Sequence, residues 1–206
     1  MPAVFVHGLG QTPDSWTETL AHLTVEAPRC PDLPGLMGGR ACAYGDLYRA
    51  FAAFCREQGA PLDLCGLSLG AVLALHYAVE NPGGVRSLVL IGGQYRMPRR
   101  LLRFQSAVFR LMPEAAFREM GFSKAGVLRL TASMAELDFT ADLRGVACPA
   151  LVVCGERDRA NRRASEELAE RLPRGTLRMI AGAGHALNQE APGALAEAIG
   201  GFYGSL

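Results

Sequence analysis

No stretch of this sequence stays apolar for the ~20 residues a membrane helix requires. The longest candidate, SLVLIGG at 87–93, has the length of a β-strand. The chain also lacks a basic leader with an apolar stretch and a small-residue cleavage site behind it. It opens MPAVFVHGLG, so a cytoplasmic protein with no membrane partner is expected. Net charge is nearly absent: 21 Lys and Arg face 20 Asp and Glu, a formal +1. No global field therefore draws the chain to nucleic acid. The six cysteines (Cys30, Cys42, Cys55, Cys65, Cys148 and Cys154) show neither C-x-x-C nor metal-ligand spacing, which argues against a metal site. They read as reduced, mostly buried thiols. No cofactor is implied. Histidine is scarce, with four in the chain, so each can be weighed separately.

What the chain does have is glycine, 24 residues of it, and a hydrophobic half. Its 206 residues suggest one domain around a single large core. Short apolar runs alternate with longer amphipathic ones. Strands are expected over 3–8, 61–66, 85–93, 149–155 and 175–182, with a weaker one over 23–28. Helices are expected over 12–23, 45–59, 69–82, 161–173 and about 190–203. Continuous apolar strands alternating with helices predict an α/β fold: a mostly parallel, doubly wound sheet of about six strands, covered on both faces. Residues 94–147 break the rhythm, because a plain crossover needs only a dozen or so residues. That stretch is helix-forming and carries Phe104, Phe109, Met112, Phe117, Met120 and Phe122. The expected organisation is a core of residues 1–93 and 148–206, with 94–147 as a helical cap over one end of the sheet.

The segment GLSLG at 66–70 is weak evidence alone in a glycine-rich chain. Its context is stronger, because Ser68 falls between an expected strand and an expected helix. A serine nucleophile needs such a turn, where a sharp bend brings neighbouring backbone close and small residues two positions away relieve the crowding. A serine hydroxyl also needs a base, and the base an orienting acid. His76 lies two helical turns past Ser68 and is expected to pack between helix and sheet. His22 ends a surface helix, and His7 shapes the turn after the first strand. His185 follows the last strand, in AGAGHALNQE. Loops at the carboxyl ends of parallel strands converge on one edge, so His185 can approach Ser68. The acid should come from another such loop, where Glu156 and Asp158 both stand in ALVVCGERD. Spacing favours Asp158. Oxyanion donors would be the backbone N–H groups of Leu69 and Leu9, each worth about 3 kcal/mol in a transition state.

These residues resemble the α/β-hydrolase family. The matching pieces are HGLG (7–10), Trp16, DLPG (32–35), GLSLG (66–70), PALVVCGERD (149–158) and GAGHALNQEAP (182–192), in that family's order along nearly the whole chain. The resemblance implies Ser68 as nucleophile, Asp158 as acid and His185 as base, with 94–147 at the cap position. It also implies a sheet that lacks the two strands relatives usually carry in front of the HG strand. Leu67 stands where relatives often have a polar or aromatic residue, which should make the pocket floor more apolar. Trp16 and Leu67 are thus substrate-contact candidates. Arg96, Arg99, Arg100 and Arg103 fall at i, i+3, i+4 and i+7, one face of an expected helix. Met97, Leu101, Phe104, Val108 and Leu111 form another face. The arginines read as a solvated face or, more sharply, as a rim for an anionic or carrier-linked substrate.

The expected activity is hydrolysis of a small carboxylic ester or thioester through an acyl-enzyme on Ser68. The alternatives are a lyase or elimination using the same triad, as in the menaquinone-pathway synthases, and an esterase acting on a carrier-protein methyl ester. A ligand-binding protein without catalysis is a further reading. Composition and motifs leave the oligomeric state open.

Overall fold

A computed structural model of the chain describes residues 2–38, 43–119 and 121–206. Cys42 and Met120 lie outside the described residues. Among those residues five strands form one parallel sheet: β1 (Ala3–Val6), β2 (Leu62–Leu67), β3 (Val85–Ile91), β4 (Ala150–Gly155) and β5 (Gly175–Ile180), in spatial order 1-2-3-4-5. The helices are α1 (Thr17–Ala21, entered through a 3-10 turn at Pro13–Trp16), α2 (Leu33–Leu36), α3 (Tyr44–Glu57), α4 (Leu69–Glu80), α5 (Arg99–Leu111), α6 (Glu114–Glu119), α7 (Lys124–Met134), α8 (Arg162–Arg171), α9 (Leu187–Glu190) and α10 (Pro192–Tyr203). None of them is long and apolar enough to cross a membrane.

The strands read as continuous apolar runs because both faces of the sheet are buried. Side chains alternate between two core clusters, as a period of two dictates. Val4, Val6, Leu62, Leu64, Leu88, Leu90, Ala150 and Val152 meet α3, α4 and α8. Ala3, Phe5, Cys65, Leu67, Val89, Ile91, Leu151 and Val153 meet Trp16 and the α10 residues Leu195 and Ile199.

The expected sixth strand over 23–28 does not form. The chain makes a single parallel bridge to β1, at Arg29. Arg29 N–H donates to Ala3 O and Phe5 N–H donates to Arg29 O, both at 2.8 Å. Pro28 and Pro31 flank this residue and cannot donate to a ladder, which limits the pairing to one residue.

The bridge still sets the topology. From β1 the chain steps outward to Arg29, then returns to lay β2 on the other side of β1. The carboxyl ends of β1 and β2 therefore flank the point where strand order reverses. Open parallel sheets bind ligands at such a point. Between β3 and β4 the chain inserts α5, α6 and α7, with α5 against α7 and α7 against α3. Arg96 is not part of this helical run. It forms an antiparallel bridge with Asp138, and α5 starts only after Pro98. The expected four-arginine helical face is thus three arginines on α5 and one on an extended segment.

The cysteines that are described carry free thiols. Cys55, Cys65, Cys148 and Cys154 are buried and Cys30 is half-buried. Burial pushes the Cys30 thiol up to about 11 and the Cys55 thiol up to about 12, so they stay protonated near neutral pH.

Candidate active site

Ser68 links β2 directly to α4 with φ 54° and ψ −112°. A side chain at positive φ is strained, and such strain persists only where surrounding packing enforces it. The packing here is backbone against backbone. A Cβ on Gly66 would sit 2.3 Å from Gly70 O, and one on Gly70 would sit 2.2 Å from Val6 O. Only glycine fits at either position. Ser68 N–H donates to Ile91 O at 2.8 Å, which ties the bend to β3.

Asp158 follows β4 and is 6% exposed. His185 follows β5. Its Nδ1 lies 2.6 Å from Asp158 Oδ2. An ionised carboxylate only accepts, so Nδ1 carries the hydrogen and Nε2 is left unprotonated in the neutral ring. Glu156 is exposed and accepts from Gly182 N–H at 2.9 Å instead. Asn161 completes the cluster: its Nδ2 lies 2.9 Å from each Asp158 oxygen and 3.1 Å from His185 Nδ1. Gln94 Nε2 in turn donates to Asn161 Oδ1 at 2.7 Å. Burial alone would raise the Asp158 pKa. The hydrogen bonds from His185 and Asn161 outweigh it and hold the carboxyl below its ordinary value. Gly92, at the end of β3 with φ 55°, makes room for the pair. A Cβ there would lie 3.0 Å from the His185 Cε1 and Nδ1 atoms.

The loop carrying His185 is clamped from its own side by Glu190. The Glu190 carboxylate accepts from Gly184 N–H at 2.7 Å and from Ala186 N–H at 3.0 Å, the two peptides that flank the histidine.

Ser68 and His185 line one cavity of about 170 Å³, together with Leu9, Leu69, Gly92, Gln94 and Asn161 at the sheet end. Met97, Leu101, Leu102, Gln105 and Met134 close it from above. Among the described residues, neither the Ser68 hydroxyl nor the N–H groups of Leu9 and Leu69 has a hydrogen-bond partner. His7 is fully buried beneath the β1 turn. Its Nε2 accepts from Leu33 N–H at 3.2 Å, so its Nδ1–H donates to Gly8 O at 2.9 Å. Burial lowers its pKa, against a smaller opposing effect from the Gly8 bond, and favours the neutral ring. His76 stacks on Tyr48, with ring centroids 3.6 Å apart, away from the cavity.

The structure thus gathers Ser68, Asp158, His185, Leu9 and Leu69. It does not bring the other sequence candidates to the cavity. Trp16 is fully buried in the core against Phe5, and Leu67 points into the same cluster. Alternation along β2 sends Leu67 to that face of the sheet, so it cannot floor the pocket. Arg96, Arg99 and Arg100 line a separate surface concavity with Glu136 and Asp138. Arg99 is paired with Glu136 at 2.5 Å. Arg103 lines neither cavity. Sequence reasoning missed Gln94, Asn161 and Gln105. Gln94 directly follows the glycine pair at the end of β3, Gly92 and Gly93, where a loop residue at the sheet's carboxyl edge was to be expected. No group of three or more His, Cys, Asp or Glu among the described residues is gathered as a metal site.

A profile of the alpha/beta hydrolase family matches residues 3–198. No curated protein matches the chain. Among solved structures, a thermophilic esterase from Thermogutta terrifontis superposes with TM-score 0.78 at 23% identity, covering 100% of this chain and 90% of that one. MenH of S. aureus gives 0.80 at 16% identity, over 100% and 94%. A structure from work on carboxylesterases of Nitrososphaera gargenis gives 0.78 at 19%, over 99% and 90%. At such identities the likeness is one of fold. With nearly its whole length matched by the family profile, the chain belongs to the alpha/beta hydrolase family.

Proposed function

We propose that the protein is a serine hydrolase that cleaves small, uncharged carboxylic esters or thioesters. The observation that carries this reading is the 2.6 Å His185–Asp158 pair, whose imidazole lines one cavity with the strained Ser68. In this reading Ser68 Oγ attacks the substrate carbonyl while His185 Nε2 takes its proton. The carbonyl oxygen becomes an oxyanion held by the Leu9 and Leu69 N–H groups. Collapse expels the alcohol or thiol, protonated by His185, and leaves an acyl-enzyme on Ser68. Water, deprotonated by His185, then releases the acid. Asp158 keeps the imidazole in the right tautomer and stabilises it when protonated. In the free protein Ser68 and His185 are not hydrogen bonded to each other, and catalytic hydrogen bonds commonly tighten only once substrate is bound. Helices α5 to α7 act as a cap that closes the cavity.

The cavity's size and lining support the substrate class. A pocket of 150 Å³ holds a benzene ring, so about 170 Å³ suits an acyl group of roughly that size. No Lys, Arg, Asp or Glu lines it. The arginines that suggested an anionic substrate do not line it, so its lining gives no support to a carrier-linked ester or to a lyase acting on an anion.

The test is treatment of the folded protein with a fluorophosphonate, followed by peptide mass mapping. An adduct on Ser68 is expected, and intact protein that stays unmodified there ends the reading. A series of p-nitrophenyl esters should then peak at short acyl chains. The neutral butyrate ester should be hydrolysed faster than the charged hemisuccinate.

A further inference from the structure

Gln11 lies outside the cavity, yet it bonds to both loops that the proposed mechanism needs. Its Oε1 accepts from Gly8 N–H at 3.1 Å, in the turn that also presents the Leu9 N–H. Its Nε2 donates to Asn188 Oδ1 at 3.0 Å and to Gln189 Oε1 at 3.3 Å. Asn188 Nδ2 returns a bond to Gln11 Oε1 at 3.3 Å, so the two carboxamides pair at two points. Asn188 sits three residues past His185 and is fully buried. Its Nδ2 also donates to Ser15 Oγ at 3.1 Å, and its backbone carbonyl accepts from Thr19 Oγ1 at 3.3 Å. The residues joined are 177 positions apart in the chain.

We infer that Gln11 is a positioning residue, one that sets the Leu9 N–H relative to the His185 imidazole. The inference rests on the hydrolase reading above and adds to it. The two groups belong to loops after β1 and β5, the first and last strands of the sheet, which share no ladder bonds. The Glu190 clamp fixes His185 within its own loop only. The Gln11–Asn188 amide pair spans the gap, from a half-buried Gln11 to a fully buried Asn188, and a partnered side-chain network of this kind specifies one geometry. An oxyanion donor is effective only when it already stands at the place where negative charge will develop. A shift of about 1 Å in such an arrangement can cost 10²-fold in rate.

The test uses Gln11→Met, which keeps length and bulk but loses every side-chain bond, and Gln11→Glu, which keeps the acceptor for Gly8 N–H but loses the donor. Hydrolysis of a p-nitrophenyl ester is followed by kcat and KM. For Gln11→Met, kcat is expected to fall by about ten- to a hundred-fold with KM within about two-fold. A trifluoromethyl ketone, which forms an oxyanion on the serine, should lose affinity in parallel with kcat/KM, while binding of the neutral product alcohol is unchanged. For Gln11→Glu, the new carboxyl can donate to Asn188 once protonated. Its kcat/KM relative to the unmodified protein should therefore rise as pH falls, a trend that a purely structural role would not produce. Folded Gln11→Met with kcat within two-fold of the unmodified protein overturns the inference. If Gln11→Met does not fold, a flat Gln11→Glu ratio across pH overturns it instead. The fluorophosphonate adduct on unmodified protein keeps the two readings apart: with the adduct present these results bear on Gln11 alone, and without it the hydrolase reading itself falls.

Discussion

The sheet end and the helices above it are built on opposite plans. At the sheet end, polar side chains are buried or half-buried and partnered: Asp158 through His185 and Asn161, Asn161 through Gln94, and Asn188 through Gln11 and Ser15. Above it, α5 has no buried side chain at all. Phe104 is 68% exposed and Leu111 88%, with Leu101 and Val108 beside them. Directional bonds hold geometry to a fraction of an ångström, and catalysis of acyl transfer needs that. A surface-lying apolar helix holds little. On the proposed hydrolase reading, the chemistry falls to the loops and α5 has the looser task of bounding the cavity.

The sharpest way to break this comparison is to remove the group the sheet end serves. Ser68→Ala should lower turnover of a small ester by several orders of magnitude, up to roughly 10⁶-fold. Removing the hydroxyl leaves the turn's backbone contacts in place, and alanine keeps the Cβ and with it the positive-φ strain, so the thermal unfolding midpoint should stay where it was. Turnover that survives within ten-fold would show that some other group does the chemistry.

Next in size is Asp158→Asn. The amide cannot hold His185 in the same tautomer, and loss of roughly 10⁴-fold in kcat is expected by analogy with other serine triads. The same variant reads out stability. The native pKa of Asp158 lies below its ordinary 3.8, so the unfolded chain takes up this proton at higher pH than the native one. The carboxylate therefore contributes stability above about pH 4, and that contribution drains away as pH falls through the depressed native value. Asp158→Asn has nothing to lose there. Urea midpoints of the two proteins should converge between about pH 5 and pH 2, and a gap that widens on acidification would contradict the assigned hydrogen bonds.

Much of the sheet end was legible beforehand because its constraints are local. Gly66 and Gly70 had to be small for a bend at Ser68, and the distances a Cβ would meet there give the reason. Strand ends converge in any parallel sheet, so position along the chain could bring His185 toward Ser68, while spacing together with the family resemblance put Asp158 ahead of Glu156 beside it. What escaped was set by long-range partners. Gln11 and Asn188 are ordinary polar residues in sequence, and only the packing of α9 beside the β1 turn makes them a pair. Trp16 and Leu67 were misread because motif position says nothing about which face of the sheet a side chain takes. The weak strand near Arg29 shrank to one bridge under two prolines. On α5, helical periodicity correctly separated an apolar stripe from arginines, but periodicity cannot tell a stripe that is covered from one that is not.

The smallest effect is expected on that stripe. Leu111 is among the most exposed apolar side chains in the chain and lies at the far end of α5 from the cavity residue Leu101. Replacing it by Gln removes surface that is in water already, so unfolding free energy should change by less than about 0.5 kcal/mol. Kinetic constants for a short ester should not move, because Leu111 does not line the cavity. A loss of stability above about 1 kcal/mol, or a several-fold change in KM, would mean that in solution α5 packs its apolar face against something. The division between a fixed sheet end and a loosely held roof would then have to be redrawn.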